Sequence, residues 1–299
     1  MTTESKGPMA GFGWLQHGAG VGFRHPVSIL GGALVLMLIV LVPALAMMPL
    51  QLHWAAAGTP PSPAGFGGMI AGSMLLGLLV VPLYAGYLQV IDAAGRGLPA
   101  RISHIFSPYR RGEALRLIGY GLALAVIYVA LVAIIMLAAG RGFGSWYLHV
   151  LAAQASHAQP PGLPRGFGIA MALGTVMGLF MMGFYSISLG QVALRRRGVL
   201  SAMGDGFLGA FKNLLPLIVL AVSVFLAWIA VAVVLAIAFL LIGLLGMLVG
   251  RWLILVLMIP VYLAFVPVMF AVMFGVMYYL WRDVCGGDTA PDPAEAIAA

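Results

Sequence analysis

The sequence predicts an all-α fold, a polytopic membrane helical bundle of six transmembrane helices in three interfacial-helix/two-span repeats. Three observations predict it. Of 299 residues, 63% are hydrophobic and only 8% charged, against roughly a quarter charged in an ordinary soluble domain. The few charges cluster, and they leave uncharged runs long enough to cross a bilayer core, which takes about 20 apolar residues in a helix. Finally, two stretches of the chain match each other at a fixed offset of 101 residues.

Residues 1–10 read as a flexible N-terminus and 11–284 as a single membrane domain. The first span runs over 26–49. It is too long for the apolar core of a cleavable signal peptide and lies behind a 25-residue leader, so it reads as a signal anchor. The second span, 67–91, follows an irregular Pro-rich loop, Gly58 to Gly68, and stops at Asp92. Arg116 precedes the third span, 117–140. The segment Phe143 to Ala158 reads as a short interfacial helix. The fourth span, 167–194, ends against Arg195, Arg196 and Arg197. No charge falls between Lys212 and Arg251. One straight helix over that stretch would be roughly 55 Å long at about 1.5 Å per residue. The reading here is a fifth span over 214–238, then an apolar turn through Gly243, Gly246 and Gly250 that is interfacial or re-entrant; a strongly tilted helical continuation over 239–250 is the alternative. The sixth span is 253–281. The acidic tail 285–299, GGDTAPDPAEAIAA after Cys285, lacks an apolar period and is expected to be disordered.

Basic residues set the orientation. Six spans place twelve of the fifteen Lys and Arg residues on one side, and only Arg141, Arg165 and Arg251 on the other. The positive-inside rule then puts both termini in the cytoplasm, as a multi-pass protein of a bacterial inner membrane. Three amphipathic segments, Phe12 to Phe23, Ile102 to Arg111 and Leu200 to Lys212, each lead into an odd-numbered span. The second and third units align Tyr84 with Tyr185, Leu88 with Leu189, Arg96 with Arg197, Gly97 with Gly198 and Phe106 with Phe207. The first aligns more weakly with the third, Gly18 with Gly206 and Phe23 with Phe211. Such a repeat predicts a pseudo-threefold bundle ringed by interfacial helices.

Membrane catalysis and ion-coupled transport strand an ionisable side chain in hydrocarbon, where it is costly. No Asp, Glu, Lys, Arg or His lies near the middle of any expected span, which argues against a proton-driven carrier, an intramembrane metalloprotease and a voltage sensor. The mid-span polar residues are neutral. Tyr84, Gln89, Tyr185 and Gln191 line a candidate polar pocket opening inward; the competing reading is plain interhelical hydrogen bonding. Along span 4 the small residues Gly174, Gly178 and Ser186 share a stripe with Ala170 and Gly190, a candidate helix-packing interface. Six histidines and one cysteine, Cys285, do not assemble a local metal set, and neither a metal nor another cofactor is expected. Gly204 to Gly209 spells GxGxxG without the strand that a dinucleotide fold needs. The remaining candidate is the basic belt: Arg96, Arg101, Arg110, Arg111, Arg195, Arg196 and Arg197 sit at span ends beside amphipathic segments. Each contributes about 1 kcal/mol near an anionic leaflet.

Several short motifs carry a family likeness. Gly13-Trp14, then Phe23-Arg24-His25-Pro26, the segment Tyr84 to Arg101 with Gly95-Arg96-Gly97-Leu98-Pro99, and the closing Tyr279-Leu280-Trp281-Arg282-Asp283 together resemble an uncharacterised family of proteobacterial six-helix inner-membrane proteins. That group in turn resembles the membrane domains attached to some glycerophosphodiester phosphodiesterases. The likeness covers residues 11–284 and implies six helices and an envelope setting; it implies no catalytic residue. The expected function is non-enzymatic: binding or transport of a lipid or small amphiphile through the basic belt, with anionic membrane lipids as partners and no nucleic acid. The alternative is an accessory or scaffold subunit that packs against another membrane protein or a second copy of the chain.

Overall fold

The computed structural model describes residues 3–57, 62–140, 142–155 and 158–286. Every regular element among them is helical. In chain order they are α1 (Ala10–Arg24), α2 (Pro26–Ala57), α3 (Pro63–Gly95), a 3-10 turn (Ile102–Phe106), α4 (Ser107–Arg110), α5 (Ala114–Ala139), α6 (Gly142–Ala155), α7 (Phe167–Ala193), α8 (Val199–Lys212), α9 (Leu214–Val249) and α10 (Arg251–Cys285). Six of these, α2, α3, α5, α7, α9 and α10, are long and apolar enough to cross a membrane. A short helical segment precedes each odd-numbered span, and α6 is inserted into the second unit.

Three sequence expectations change. Residues 239–250 do not turn after Ala238; α9 continues unbroken to Val249. An uncharged run in hydrocarbon has no other way to satisfy its backbone polar groups, so the helix ends only at Gly250, where φ is 141°. Gly246 instead lets α10 come close, since a Cβ there would lie 2.3 Å from Ile254 Cγ1. The Pro-rich loop is shorter than Gly58 to Gly68, because α3 begins at Pro63, a favourable first helical position; residues 58–61 lie outside the described residues. The leader is not a free tail over 3–10. Glu4 N–H donates to Val284 C=O at 3.0 Å, and the Asn213 side chain accepts from Lys6 N–H at 2.8 Å and donates to Glu4 C=O at 2.9 Å. Residues 1, 2 and 287–299 lie outside the described residues, so the expected tail is described only at Cys285, which closes α10, and Gly286.

The described chain divides into two compact units. The first comprises 1–37, 85–107 and 180–299, the second 38–84 and 108–179. In the second, the Tyr109 hydroxyl donates to Leu79 C=O and so ties α4 to α3. Val81 and Leu78 close over Gly121 of α5. Phe143, Trp146 and Phe167 form an aromatic cluster between α6 and the start of α7.

The first unit holds most of the buried side chains. Its centre is the last turns of the three even-numbered spans. Leu88 and Ile91 of α3, Ile187 and Leu189 of α7, and Phe274 and Leu280 of α10 are all buried. These three ends meet pairwise. Gln89 Nε2 donates to Ala193 C=O at 3.0 Å, joining α3 to α7. The Trp281 ring fills the space that a side chain at Gly190 would need, joining α7 to α10. Tyr278 donates to Asp92 Oδ1 at 3.1 Å, joining α10 to α3.

The short segments then lie on these spans in a cyclic order. The 3-10 turn presses Ile105 C=O against Gly86 of α3, α8 lays Gly206 on Phe184 and Ser188 of α7, and α1 sets Gly18 against Gly275 and Val276 of α10. The entry segment of each of the three sequence repeats therefore docks on the even-numbered span of the preceding repeat. Each docking has a glycine at the closest point, because only a missing Cβ allows that approach.

Candidate functional site

The first unit carries its charged side chains where these span ends and short helices meet. At the end of α3, Leu98 N–H bonds Ala93 C=O and Gly97 N–H bonds Ala94 C=O, with Gly97 at φ +70°. This is the left-handed cap that ends many helices, and it accounts for Gly97-Leu98-Pro99. Gly95 leaves room for the Tyr278 hydroxyl.

The predicted arginines separate into three kinds. Arg96 pairs with Asp92 one turn back at 2.9 Å. Arg197 pairs with Asp205 of α8, and Gln191 Nε2 donates to the same carboxylate at 3.2 Å. Arg195 lies with its guanidinium 5.8 Å from the Trp281 ring centroid, a cation–π distance. Arg101 and Arg196 turn outward in the first unit, and Arg110 and Arg111 turn outward in the second. Arg196 has φ +54°, a left-handed conformation that normally goes to glycine.

The expected pocket residues also divide. Tyr84 falls in the second unit; Gln89, Tyr185 and Gln191 fall in the first. Gln89 uses both ends of its amide, donating to Ala193 and accepting from Ser107 Oγ at 2.6 Å. Gln191 is buried, and its Oε1 has no partner among the described residues. Along α7, Gly174 and Gly178 face open space, whereas Ser186 is buried and bonds back to Met182 C=O. The packing contact of that stripe is Gly190, under Trp281. The glycines of the GxGxxG string serve α8 docking: Gly206 and Gly209 face α7, against Ser188 and Ile187.

The two amphipathic helices place apolar side chains beside these charges. In α8, Ala202, Gly206, Gly209 and Ala210 are buried, while Leu200, Phe207, Leu208 and Phe211 are exposed. In α1, Gly11, Trp14, Gly18 and Val21 are buried and Phe12 and Phe23 exposed, as is Met9 just before the helix.

A cleft of about 610 Å³ opens between α1 and the end of α10, lined by Lys6, Trp14, His17, Tyr279, Arg282 and Asp283 among others. Trp14 Nε1–H donates to Asp283 Oδ2 at 2.9 Å. Lys6 Nζ reaches Glu4 at 2.6 Å and Asp283 Oδ1 at 3.5 Å. The hydrogen bond to Glu4, helped by the charge of Asp283, holds the Lys6 ammonium above the ordinary lysine range against the opposing effect of burial. His17 Nδ1 lies 2.7 Å from Gly13 C=O, and its ring packs 5.3 Å from Tyr279.

No family model, curated protein or solved structure matches the chain. The site therefore stands on its own geometry. Among the described residues no group of three or more His, Cys, Asp or Glu converges as a metal set would. Sequence reading missed the cleft: its cations are spread from Lys6 to Arg282 and only the fold collects them.

Proposed function

We propose that this protein binds the head groups of acidic phospholipids at the cytoplasmic face of a bacterial inner membrane, with both termini in the cytoplasm. It does so without chemistry, as a lipid- or amphiphile-handling member of the six-helix inner-membrane family it resembles. One observation carries the reading. Helix α8 buries its small residues on α7 and leaves Leu200, Phe207, Leu208 and Phe211 uncovered, directly after the exposed Arg196. An apolar helical face beside guanidinium groups suits the boundary between acyl chains and head groups, and the positive leaflet-facing charge suits acidic lipid.

The test is the lipid retained by the purified full-length chain, identified by mass spectrometry. Replacing Arg101, Arg110, Arg111 and Arg196 with glutamine lowers the retained phosphatidylglycerol, and raised salt does the same in the parent protein. Unchanged lipid content in the quadruple variant overturns the reading. A second reading, a subunit that packs against another membrane helix, is favoured by the uncovered Gly174 and Gly178. Leucine at both positions then abolishes a cross-linked neighbour seen with the parent chain; persistence of every cross-link removes it.

A further inference from the structure

We infer that the cleft between α1 and α10 is a binding site for a zwitterionic aminophosphate ester, the head group of a phosphatidylethanolamine-type lipid. The inference rests on the preceding proposal only in placing α1 at a lipid surface. Its chemistry comes from a different set of residues.

A site for a simple anion has a lining of one sign, and this cleft has both. Lys6 already shares its ammonium between Glu4 and Asp283. Arg282 is exposed and lies 5.9 Å from the Tyr279 ring. Its flat guanidinium offers paired donors that match a phosphate. Asp283 is fixed from one side by the Trp14 indole and keeps 40% of its side chain exposed. A carboxylate held that way has acceptor capacity left for an ammonium group.

His17 adds a directed group. A hydrogen bond from Nδ1–H to Gly13 C=O within the helix sets the ring orientation, leaving Nε2 as an acceptor for a ligand N–H. The volume of about 610 Å³ lies within the range of small-molecule sites, about 300–1,000 Å³. Phe12 of α1 and Met9 just before it are exposed close by in sequence, which suits acyl chains running past the helix and favours a lipid over a soluble ester. Phosphate against Arg282, and ammonium against Asp283 and the accepting His17 Nε2, sets each group of the ligand against a partner of the right kind.

The test is native mass spectrometry of the full-length chain in detergent, titrated with phosphatidylethanolamine and phosphatidylglycerol in competition. Soluble phosphoethanolamine and inorganic phosphate serve as competitors. The parent protein prefers phosphatidylethanolamine. Asp283→Asn, whose amide oxygen still accepts from Trp14, reduces that preference about tenfold, the scale of one charge-assisted hydrogen bond. Arg282→Gln, which removes the guanidinium facing Tyr279, weakens phosphatidylethanolamine by a similar factor. Phosphatidylethanolamine retention that survives both variants overturns the inference. Displacement by phosphoethanolamine at concentrations matching the lipid overturns the lipid source in favour of a soluble ester, and displacement by inorganic phosphate alone overturns the zwitterion. Phosphatidylglycerol retention in the same spectra scores the arginine rim separately, so either proposal can fail while the other stands.

Discussion

Trp14 and Asp283 stand 269 positions apart, and the indole N–H of the first donates to the carboxylate of the second at 2.9 Å. The bond joins the first amphipathic helix to the last turn of the last span. It closes the cyclic order in which each short helix lies on the preceding repeat's even-numbered span. A hydrogen bond to a charged acceptor contributes about 1.5–3 kcal/mol, and part-exposure of Asp283 argues for the lower end. Trp14→Phe is therefore expected to lower thermal stability in detergent. A double-mutant cycle with Asp283→Ala separates the bond from the lost ring area. A coupling of about 1 kcal/mol is expected; a coupling of zero would show that α1 is held by packing alone.

The glycines make opposite predictions according to what they face. A Cβ at Gly18 would lie 2.5 Å from Val276 N, and one at Gly206 would lie 2.8 Å from Phe184 C=O. Both neighbours are backbone and cannot yield, so Gly18→Val and Gly206→Val should detach α1 and α8 at about 1–3 kcal/mol or more each. Gly174 and Gly178 have nothing within 4 Å. Alanine at either should stabilise α7 by up to about 1 kcal/mol through helix propensity. Thermal unfolding of the four variants in one detergent decides the matter. A loss at Gly174 equal to that at Gly18 would contradict the docking geometry.

Much of this fold was legible from charge placement alone. Asp92, Arg116, Arg195 and Arg251 each stand within a few residues of a helix end, because a charge resists hydrocarbon wherever the local sequence places it. The long α9 was less legible. Its end depends on one glycine at φ 141°, and Gly243 and Gly246 look like equally good stops when their packing is unseen. The repeat register was readable at Leu88 and Leu189, which are both buried. It drifts at Phe106 and Phe207, because the second entry segment is a 3-10 turn and the third a regular helix. The cleft was illegible for another reason. Lys6, His17 and Arg282 come from opposite ends of the chain, and no local spacing announces a site assembled by tertiary contact.

The leader provides a pH prediction. Lys6 is held above the ordinary lysine value of 10.5 by its hydrogen bond to Glu4 and by Asp283. A group whose folded pKa is raised contributes stability that is fully present below the unfolded value and is lost as pH rises through the folded one. From neutral pH upward, the melting temperature of the parent chain should therefore exceed that of Lys6→Met by a constant margin up to about 10.5. The margin should close at higher pH. Asn213→Ala removes the side chain that holds Lys6 N–H and Glu4 C=O, and in that background the margin should shrink at every pH. A margin that widens with alkalinity would mean that Lys6 is not the group pairing with these carboxylates.

Arg196 offers the sharpest separation of stability from surface binding. Its φ of +54° lies where a Cβ crowds the following carbonyl, at about 1–2 kcal/mol for a residue other than glycine. Gly97 and Gly198, aligned between the second and third units, show that glycine is available near both span ends, yet the left-handed position after α7 is occupied by an arginine. Arg196→Gly should raise the melting temperature of the detergent-solubilised protein, by an amount corresponding to about 1 kcal/mol once the greater freedom of glycine in the unfolded chain is deducted. The same change should weaken binding to vesicles containing phosphatidylglycerol, because it removes an exposed charge at the rim. Arg197→Ala should do the reverse in stability. Its guanidinium is paired with Asp205 beside the buried Gln191, so the variant should melt lower. Melting curves and vesicle co-sedimentation on the two single variants read both effects. If Arg196→Gly is destabilising, the side chain's own interactions outweigh the strain of the left-handed turn; if it binds acidic vesicles as well as the parent, the exposed arginines are not what holds the leaflet.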